Sequence, residues 1–386
     1  MMKILFLTYH GFEDASGISK KMLAQIKGLR QNGHEVHVCC YDITPDGNHC
    51  RFVDDQVIKS YGKGRWATIR QRMELGCVFD YCMQHHIQLV YVRCFINASP
   101  FNIRLFRRLR AAGIKSVMEV PTYPYDKEME TLPFKYRFEH IFDKMFRRKL
   151  ASNLDAIVTF TDEKEIFGQR TICISNGIDF ESIPLHHYQP TALSSQPSAL
   201  HLIGVAEVHP WHGFDRLIAG LGEYYRNQQN VAEAQRREVF FHIVGGIDNS
   251  IRCLFKQIIE RYHIESYVIF HGKLFGDKLT EVFNQCQFAI GSLARHRSGI
   301  THIKTLKNRE YACRGIPFAY SECDSDFDHQ SYILKIPADE SPVNIQHIID
   351  FMDHFTMKQE DIRHTVEYLA WEIQMRQVVD AILSIN

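Results

Sequence analysis

One stretch late in the sequence holds the densest group of side chains that could do chemistry. Arg295 and Arg297 lie in a basic, glycine-containing loop, and a guanidinium group stays charged at any ordinary pH. A helix is predicted to follow this loop and to end at Gly315. It carries Lys307 and Glu310, and a carboxylate can accept hydrogen bonds from both hydroxyls of a vicinal diol. The pattern indicates a site for an anionic ligand with a diol; the alternative is a solvated, charged helix face.

Two loops earlier in the same half of the chain contain glycines that let the backbone approach a ligand. His212 and Gly213 follow the predicted strand 200–206, where a helix is expected to start. Gly245 ends the next predicted strand, 239–245. Free N–H groups and the helix dipole favour an anion at a helix N-terminus, so these loops are candidates for binding one.

A comparable loop follows the first predicted strand, 4–8. Gly17 is expected to open a helix there, and Asp42 ends the next strand, where dinucleotide-binding folds place an acid on the ribose. The glycine fingerprint of those folds is absent, because Gly11 and Gly17 are six residues apart. The residues leave two alternatives open, an anion site at Gly17 or an ordinary strand–helix loop.

A stiff loop with two prolines and two tyrosines follows another predicted strand. Glu119 ends that strand and is a candidate for proton transfer or for binding hydroxyls. Thr122, Tyr123 and Tyr125 are candidates for binding an acceptor substrate. Arg93 ends a neighbouring strand and either meets an anion or pairs with Glu119. A rigid connection without function is the alternative for the loop.

The composition argues against several classes of protein. Lys and Arg number 45 and Asp and Glu also number 45, so the chain lacks an overall positive charge for nucleic acid. No apolar run approaches the roughly 20 residues of a membrane-spanning helix. The 11 cysteines include no CxxC pair, which favours a reducing cytosol over a disulfide framework. Asp324 and Asp326 form the Asp-x-Asp pattern that can hold a divalent cation, but we expect no metal.

The elements that must position these residues are short apolar strands that alternate with helical patterns. Apolar residues recur at helical spacing over 18–29 and 134–145. This alternation favours parallel sheets with helices on both faces. The predicted strands are 4–8, 35–41, 88–94, 115–120, 155–160, 200–206, 239–245, 267–272, 287–293 and 316–321.

A stretch rich in proline and serine separates two such series of strands and helices. We therefore predict an α/β protein with an N-terminal domain at 1–182, a linker at 183–199, a C-terminal domain at 200–365 and a final helix at 366–386. Ligands of such sheets bind outside the carboxyl ends of the strands, so a cleft between the two domains is the expected site.

Together these segments resemble a retaining glycosyltransferase of family 4. The most specific matches are 176–179, 211–216 and 306–317, and the last two, with 119–125, resemble a bacterial subgroup associated with surface polysaccharides. The resemblance implies the GT-B fold, in which two doubly wound, Rossmann-like domains face a cleft. The N-terminal domain would bind the acceptor and the C-terminal domain a nucleotide-sugar, and the C-terminal helix would cross back to the first domain.

The resemblance also implies roles for individual residues. Glu310 matches the glutamate that binds the nucleotide ribose, and Gly17 matches the loop glycine that approaches the donor phosphates. His212 stands before Gly213 where the family has a lysine, and His302 stands where the first glutamate of the family's Glu-x7-Glu pair would fall. An arginine after the first strand of the C-terminal domain and a histidine of the N-terminal domain have no clear match.

The mechanism implied by the resemblance is retaining, with attack on the face from which the nucleoside diphosphate leaves. The charge of the leaving group is then the main thing to stabilise. We expect Arg295 or Arg297, with His212 and the N–H groups near Gly213 and Gly17, to replace the missing basic pair. Lys307 is a further donor-binding candidate, and no metal is required.

The implied partners are a nucleotide-sugar donor and a saccharide or lipid-linked saccharide acceptor. Synthesis of capsule, exopolysaccharide or O-antigen is the expected process, in the cytoplasm or at the inner face of the membrane. Basic residues in 101–115 and 135–149 suggest that helices of the N-terminal domain contact anionic lipid peripherally, and solvated helix faces are the alternative. We expect no nucleic-acid partner.

Three other functions compete with glycosyl transfer. A nucleotide-sugar epimerase of the same architecture would turn over a donor without an acceptor. An NAD-dependent oxidoreductase is suggested by the first strand–helix unit and Asp42, and the missing glycine fingerprint counts against it. A non-catalytic saccharide-binding module is suggested by the departures from the family pattern.

Overall fold

The structure, a computed structural model, describes residues 1–13, 17–93, 98–126, 134–189, 199–228 and 237–385, without the side chains of 134–138. The chain divides into two compact units, Met1–Gly177 with Leu369–Asn386, and Ile178–Tyr368. Much of the predicted linker, 190–198, lies outside the described residues.

The first unit is built on a nine-stranded sheet. Its strands are β1 (Lys3–Leu7), β2 (Glu35–Ile43), β3 (His49–Val53), β4 (Gln56–Gly62), β5 (Leu89–Arg93), β6 (Lys115–Val120), β7 (Ala156–Thr159), β8 (Glu165–Ile166) and β9 (Gln169–Cys173). Their order across the sheet is β4-β3-β2-β1-β5-β6-β7-β9-β8. The central pairs from β2 to β9 are parallel, and antiparallel strands flank them at both edges. The central strands are almost fully buried, as expected for a parallel sheet covered on both faces.

Helices pack on this sheet. They are α1 (Gly17–Gln31), α2 (Gly64–Met73), α3 (Gly76–Gln84), α4 (Pro100–Ala111) and α5 (Phe134–Ala151). Ser99 caps α4 by accepting a hydrogen bond from the Asn102 N–H, and Pro100 supplies a first-turn residue that has no N–H to satisfy.

The second unit contains a six-stranded sheet in which every pair is parallel. Its strands are β10 (Leu200–Val205), β11 (Val239–Val244), β12 (Val268–Gly272), β13 (Phe288–Ile290), β14 (Phe318–Tyr320) and β15 (Ile333–Lys335), in the order β12-β11-β10-β13-β14-β15. Its helices are α6 (Phe214–Asn227), α7 (Asn249–Tyr262), α8 (Gly276–Asn284), α9 (Leu306–Arg314), α10 (Ile345–Asp353) and α11 (Gln359–His364). Because β10, β13 and β14 are neighbours, the loops that leave them meet at one edge of the sheet.

The C-terminal helix, α12 (Trp371–Leu383), belongs to the first unit although it follows the second in sequence. It lies so close to α1 that a Cβ at Gly28 would be 2.7 Å from the Trp371 carbonyl oxygen. The Gln374 side chain also accepts a hydrogen bond from the Ser175 N–H at 2.8 Å. The predicted return of this helix to the first domain is thereby confirmed.

The predicted fold class is also confirmed, since both units are doubly wound α/β layers. All of the predicted strands are present to within about three residues. The antiparallel hairpin of β3 and β4, helices α2 and α3, and the strands β8, β9 and β15 were not predicted. In the part of the chain that the structure describes, no helix has the length and apolarity needed to cross a membrane.

Candidate functional site

The loops that leave β10 and β13 are hydrogen-bonded to each other. The Leu293 N–H donates to the His212 carbonyl at 2.9 Å, and the Ala294 N–H donates to the Trp211 carbonyl at 3.2 Å. Gly213 has a φ of 64°, and a Cβ there would lie 2.9 Å from the Cβ atoms of both Leu293 and Ala294. Only glycine at this position therefore lets the two loops meet.

His212 is buried beside these loops, and its Nδ1 accepts a hydrogen bond from the His209 N–H at 2.9 Å. A ring nitrogen that accepts carries no proton, so the neutral ring carries its proton on Nε2. Burial lowers the pKa of His212 well below its usual value, and the charges of Lys307 and Arg295 lower it further. His212 is therefore a neutral hydrogen-bond donor in the ligand-free protein, rather than a cation that replaces a lysine.

Arg297 is held by carboxylates from two other segments. Its Nη1 and Nη2 donate to the two oxygens of Asp215 at 2.9 Å, and its Nε lies 3.0 and 3.1 Å from the oxygens of Glu340. Nη1 also donates to the Pro210 carbonyl at 2.8 Å. These bonds fasten the loop to the start of α6. The structure thus gives Arg297 a stabilising role in place of the predicted contact with a diphosphate.

Arg295, two residues earlier, lies among buried polar groups. Its guanidinium carbon is 5.6 Å from the centre of the Trp211 ring. Its positive charge lowers the pKa values of Lys307 and His212, although burial is the larger cause at both. Coulombic effects between side chains are large only over short distances and in poorly hydrated surroundings. Arg295 is therefore the arginine of this loop whose charge acts on Lys307 and His212.

Lys307, in the first turn of α9, and Glu322, after β14, complete a group with Arg295 that we call the charged cluster. Burial lowers the pKa of Lys307 to about 7, Arg295 acts in the same direction, and Glu322 opposes. Burial raises the pKa of Glu322 to about 7, against the charges of Arg295 and Lys307. The Lys307 Nζ and both Glu322 carboxylate oxygens are buried without a hydrogen-bond partner among the described residues. Unpaired buried charges are costly, so a ligand that bonds to them would bind favourably.

Glu322 is not among the site residues predicted from the sequence. The available signal was its position directly after a predicted parallel strand, 316–321, at the edge of a sheet where ligands bind.

Glu310 lies one turn beyond Lys307 on α9, and its side chain is 27% exposed. Its Oε1 accepts hydrogen bonds from Nη2 and Nε of Arg314 at 2.9 and 3.0 Å. Its Oε2 has no hydrogen-bond partner among the described residues. One carboxylate oxygen is thus available to a diol such as a ribose, and the predicted ribose contact stays a prediction.

The Asp-x-Asp pair is bound by a buried arginine. Arg309 donates to both carboxylate oxygens of Asp324 and also to Asp326. Arg309 and Asp324 are almost fully buried. The two carboxylates therefore form an internal ion pair with α9, and the described residues contain no group of three or more metal-ligating side chains.

Glu119 of the first unit is fully buried in a network of hydrogen bonds and charges. Its Oε1 lies 3.1 Å from both the Lys21 Nζ and the Arg93 Nη1. Its Oε2 accepts from the Tyr91 hydroxyl at 2.5 Å and from the Gln25 amide at 2.6 Å. Although burial alone would raise it, the pKa of Glu119 falls to about 2 because of Lys21, Arg93 and these hydrogen bonds. The structure thus gives Glu119 a structural role instead of the predicted catalytic one, and Arg93 pairs with it.

The loop after β6 contains three acceptor-binding candidates, which differ in how deeply their side chains are buried. Tyr125 is buried, and its hydroxyl donates to Asp143 at 2.6 Å, so it stabilises the core instead of facing an acceptor. Tyr123 is half-buried and packs edge-on against Phe167, with ring centres 5.7 Å apart. Thr122 is half-buried. Thr122 and Tyr123 remain the candidates of this loop.

The remaining two glycine candidates, Gly245 and Gly17, differ in the space that surrounds them. A Cβ at Gly245 would lie 1.7 Å from the Ala206 carbonyl oxygen, so this glycine is required by the contact between two strand ends. A Cβ at Gly17, the first residue of α1, would meet no atom of the described residues within 4 Å. Open space at this helix N-terminus is compatible with the predicted approach to a ligand, although Asp14–Ser16 of the preceding loop lie outside the described residues.

Comparisons with known proteins support the fold. No family model and no curated protein matches this sequence. A sucrose-phosphate synthase from Thermosynechococcus elongatus has a similar structure, with a TM-score of 0.66 and 14% identity over 100% of both chains. A glycosyltransferase from Rickettsia africae has a TM-score of 0.66 and 12% identity, over 100% of this chain and 98% of that one. HepE from Anabaena, solved in complex with UDP-glucose, has a TM-score of 0.58 and 15% identity over 100% of both chains. The chain therefore has the GT-B fold.

Proposed function

We propose that this protein is a glycosyltransferase that moves a sugar from a nucleotide-sugar to a growing saccharide, with retention at the anomeric carbon. The observation that carries this proposal is the charged cluster of Arg295, Lys307 and Glu322 beside His212, at the carboxyl edge of the second sheet. A solved structure with the same fold holds UDP and glucose, which supports a nucleotide-sugar as the donor. The resemblance of 211–216 and 306–317 to a surface-polysaccharide subgroup supports capsule, exopolysaccharide or O-antigen synthesis as the process.

The second unit offers several groups to a diphosphate. Arg295 can donate two parallel hydrogen bonds to phosphate oxygens, and Lys307 supplies a compact charge. The Nε2–H of His212 and the unpaired N–H groups in the first turn of α9 add neutral donors. Negative charge grows on the diphosphate as the bond to the sugar breaks, and these fixed groups stabilise that charge without reorganising. In this proposal the cationic side chains take the part that a divalent cation plays in other sugar transferases.

We assign the nucleotide ribose to Glu310, whose Oε2 has no hydrogen-bond partner in the part of the chain that the structure describes. The acceptor is assigned to the first unit, near Thr122 and Tyr123, because the other candidates of that loop are engaged within the core. Gly17, at the N-terminus of α1 in the first unit, stays a predicted contact of a donor phosphate.

A basic and apolar surface of the first unit supports a lipid-linked acceptor. The exposed apolar residues of α2 recur at positions i, i+3 and i+7 on one face, and Trp66 is 75% exposed. The Arg72 Nη1 of α2 donates to the Glu139 carboxylate of α5 at 3.1 Å, so these two helices are neighbours. Further exposed apolar residues lie on α5, and exposed apolar faces on helices suit the interface of an anionic bilayer. The exposed apolar side chains are those of Trp66, Ile69, Met73, Ile141, Phe142 and Met145.

The activity can be tested in two steps. A thermal-shift screen against nucleoside diphosphates, nucleotide-sugars and NAD identifies the ligand, because a ligand at 100 times its dissociation constant adds about 2.7 kcal/mol of stability. NMR then follows the anomeric proton of the product formed from the stabilising donor and saccharide acceptors. We expect the anomeric configuration of the donor to be kept. Inversion would refute the retaining mechanism, turnover without an acceptor would indicate an epimerase, and stabilisation by NAD alone would indicate an oxidoreductase.

A further inference from the structure

The segment that carries His302 is hydrogen-bonded to the segment that carries Glu322. The Ile303 N–H donates to the Cys323 carbonyl at 3.0 Å, and the Cys323 N–H donates to the Thr301 carbonyl at 2.7 Å. His302 and Cys323 form a parallel bridge pair. His302 is exposed, whereas Glu322 is only 2% exposed. The position at which the resembling family has a glutamate therefore lies beside a segment that supplies a buried glutamate of its own.

A purely structural explanation for Glu322 is that it neutralises the two cations of the charged cluster. A buried carboxylate with that role is expected to accept hydrogen bonds from its partners, since a buried ion pair repays its desolvation only with good geometry. Neither oxygen of Glu322 has a hydrogen-bond partner among the described residues. Both oxygens are therefore left to accept hydrogen bonds from a ligand when the carboxylate is ionised.

We propose that Glu322 binds hydroxyl groups of the donor sugar while Arg295 and Lys307 bind the adjacent diphosphate. This inference rests on the proposed function. Sugar and diphosphate are joined by one bond in a nucleotide-sugar, so the groups that bind them must be neighbours. Arg295 and Glu322 follow the paired strands β13 and β14, and the Ser321 N–H donates to the Ser292 carbonyl at 2.9 Å. Lys307 lies in the first turn of the helix that follows the Arg295 loop. When the diphosphate takes up the positive charge of Arg295 and Lys307, both oxygens of Glu322 can accept from a pair of sugar hydroxyls.

Glu322→Gln separates this role from a purely structural one. Removing a negative charge near the diphosphate should leave the affinity for UDP or GDP unchanged or make it tighter. Loss of charged hydrogen bonds to the sugar should weaken binding of the matching nucleotide-sugar by roughly tenfold to a hundredfold. The readout is the ratio of the two dissociation constants, measured by calorimetry. A structural role would change both affinities by the same factor.

The ligands for this experiment are UDP, GDP, UDP-glucose, UDP-galactose and GDP-mannose. Glu322→Asp is the second variant, because it keeps the charge that balances Arg295 and Lys307 but withdraws the carboxylate by one methylene. Glu260→Gln is the matched control, since Glu260 is exposed on α7 and pairs only with Lys256 among the described residues. In both Glu322 variants we expect the dissociation constant of the nucleotide-sugar to rise relative to that of the nucleoside diphosphate. In the control this ratio should be unchanged.

The outcomes separate this inference from the proposed function. If the wild-type protein binds none of these ligands, the proposed function fails and the role of Glu322 fails with it. If the wild-type protein binds a nucleotide-sugar and the ratio is unchanged in Glu322→Gln and Glu322→Asp, only the role of Glu322 is refuted.

Discussion

Lys307 should make binding of the donor depend on pH. In the empty site burial lowers its pKa to about 7, so the amine is largely unprotonated at pH 8 and above. A bound diphosphate places negative charge beside the amine and raises that pKa. Binding at alkaline pH therefore requires uptake of a proton from solvent, and the affinity for UDP or GDP should fall as the pH rises from 7 to 9.

The size of this effect follows from the fraction of protein that is protonated at Lys307. With a pKa of about 7, that fraction is about one half at pH 7 and about one hundredth at pH 9. If only the protonated form binds, the dissociation constant rises about fiftyfold, or about 2.3 kcal/mol. At pH 8 Lys307 alone should take up about 0.9 proton for each binding event. The phosphates of the ligand contribute little, because their last pKa is about 6.

The assay is calorimetry at pH 7, 8 and 9, repeated at pH 8 in two buffers that differ in ionisation enthalpy. Lys307→Met should bind more weakly at pH 7 and should lose most of the pH dependence and of the proton uptake, with the remainder coming from Glu322. Lys256→Met is the control, because Lys256 is an exposed residue of α7, with a side chain 73% exposed. An affinity of the wild-type protein that is constant from pH 7 to 9, without proton uptake, would refute the placement of Lys307 at the diphosphate.

Three further predictions concern other parts of the molecule. Acid should destabilise the second unit, because burial lowers the pKa of His201 to about 4 and of His242 to about 3. Both side chains stay neutral in the folded protein but take up a proton in the unfolded protein below pH 6.5. Each should therefore lower the free energy of unfolding by about 2 kcal/mol between pH 7.5 and 5. In urea titrations the free energy of unfolding of His242→Gln should fall less over this pH range than that of the wild-type protein. Arg295→Ala should weaken UDP or GDP binding at least tenfold in calorimetry, whereas Arg297→Ala should mainly lower the melting temperature. Trp66→Ala should reduce co-sedimentation with vesicles rich in phosphatidylglycerol without changing nucleotide affinity; unchanged vesicle binding would contradict the proposed lipid contact.

The fold could be predicted because the central strands are short, continuous apolar runs separated by helical patterns. The hairpin of β3 and β4 lacks this signal. β4 is largely exposed, and β3 buries the charged side chain of Arg51, so neither strand is a continuous apolar run. Edge strands are stabilised by pairing with their neighbours rather than by their own hydrophobicity, and the sequence pattern does not show that pairing.

The contacts of a candidate site residue could be predicted only where they follow from its position along a strand or helix. Arg93 and Glu119 end neighbouring strands and are partners in the register of β5 and β6, so their pairing is one of the two alternatives that the sequence offers for Arg93. The difference between Arg295 and Arg297 could not be predicted. It depends on Asp215 and Glu340, which lie 82 and 43 residues from Arg297 in sequence.

A crystal structure of the protein with the nucleotide-sugar that stabilises it most would test the central claim directly. We expect the diphosphate to lie within hydrogen-bond distance of Arg295 and Lys307, at the carboxyl edge of the second sheet. A diphosphate bound elsewhere, with neither Arg295 nor Lys307 in contact, would contradict it.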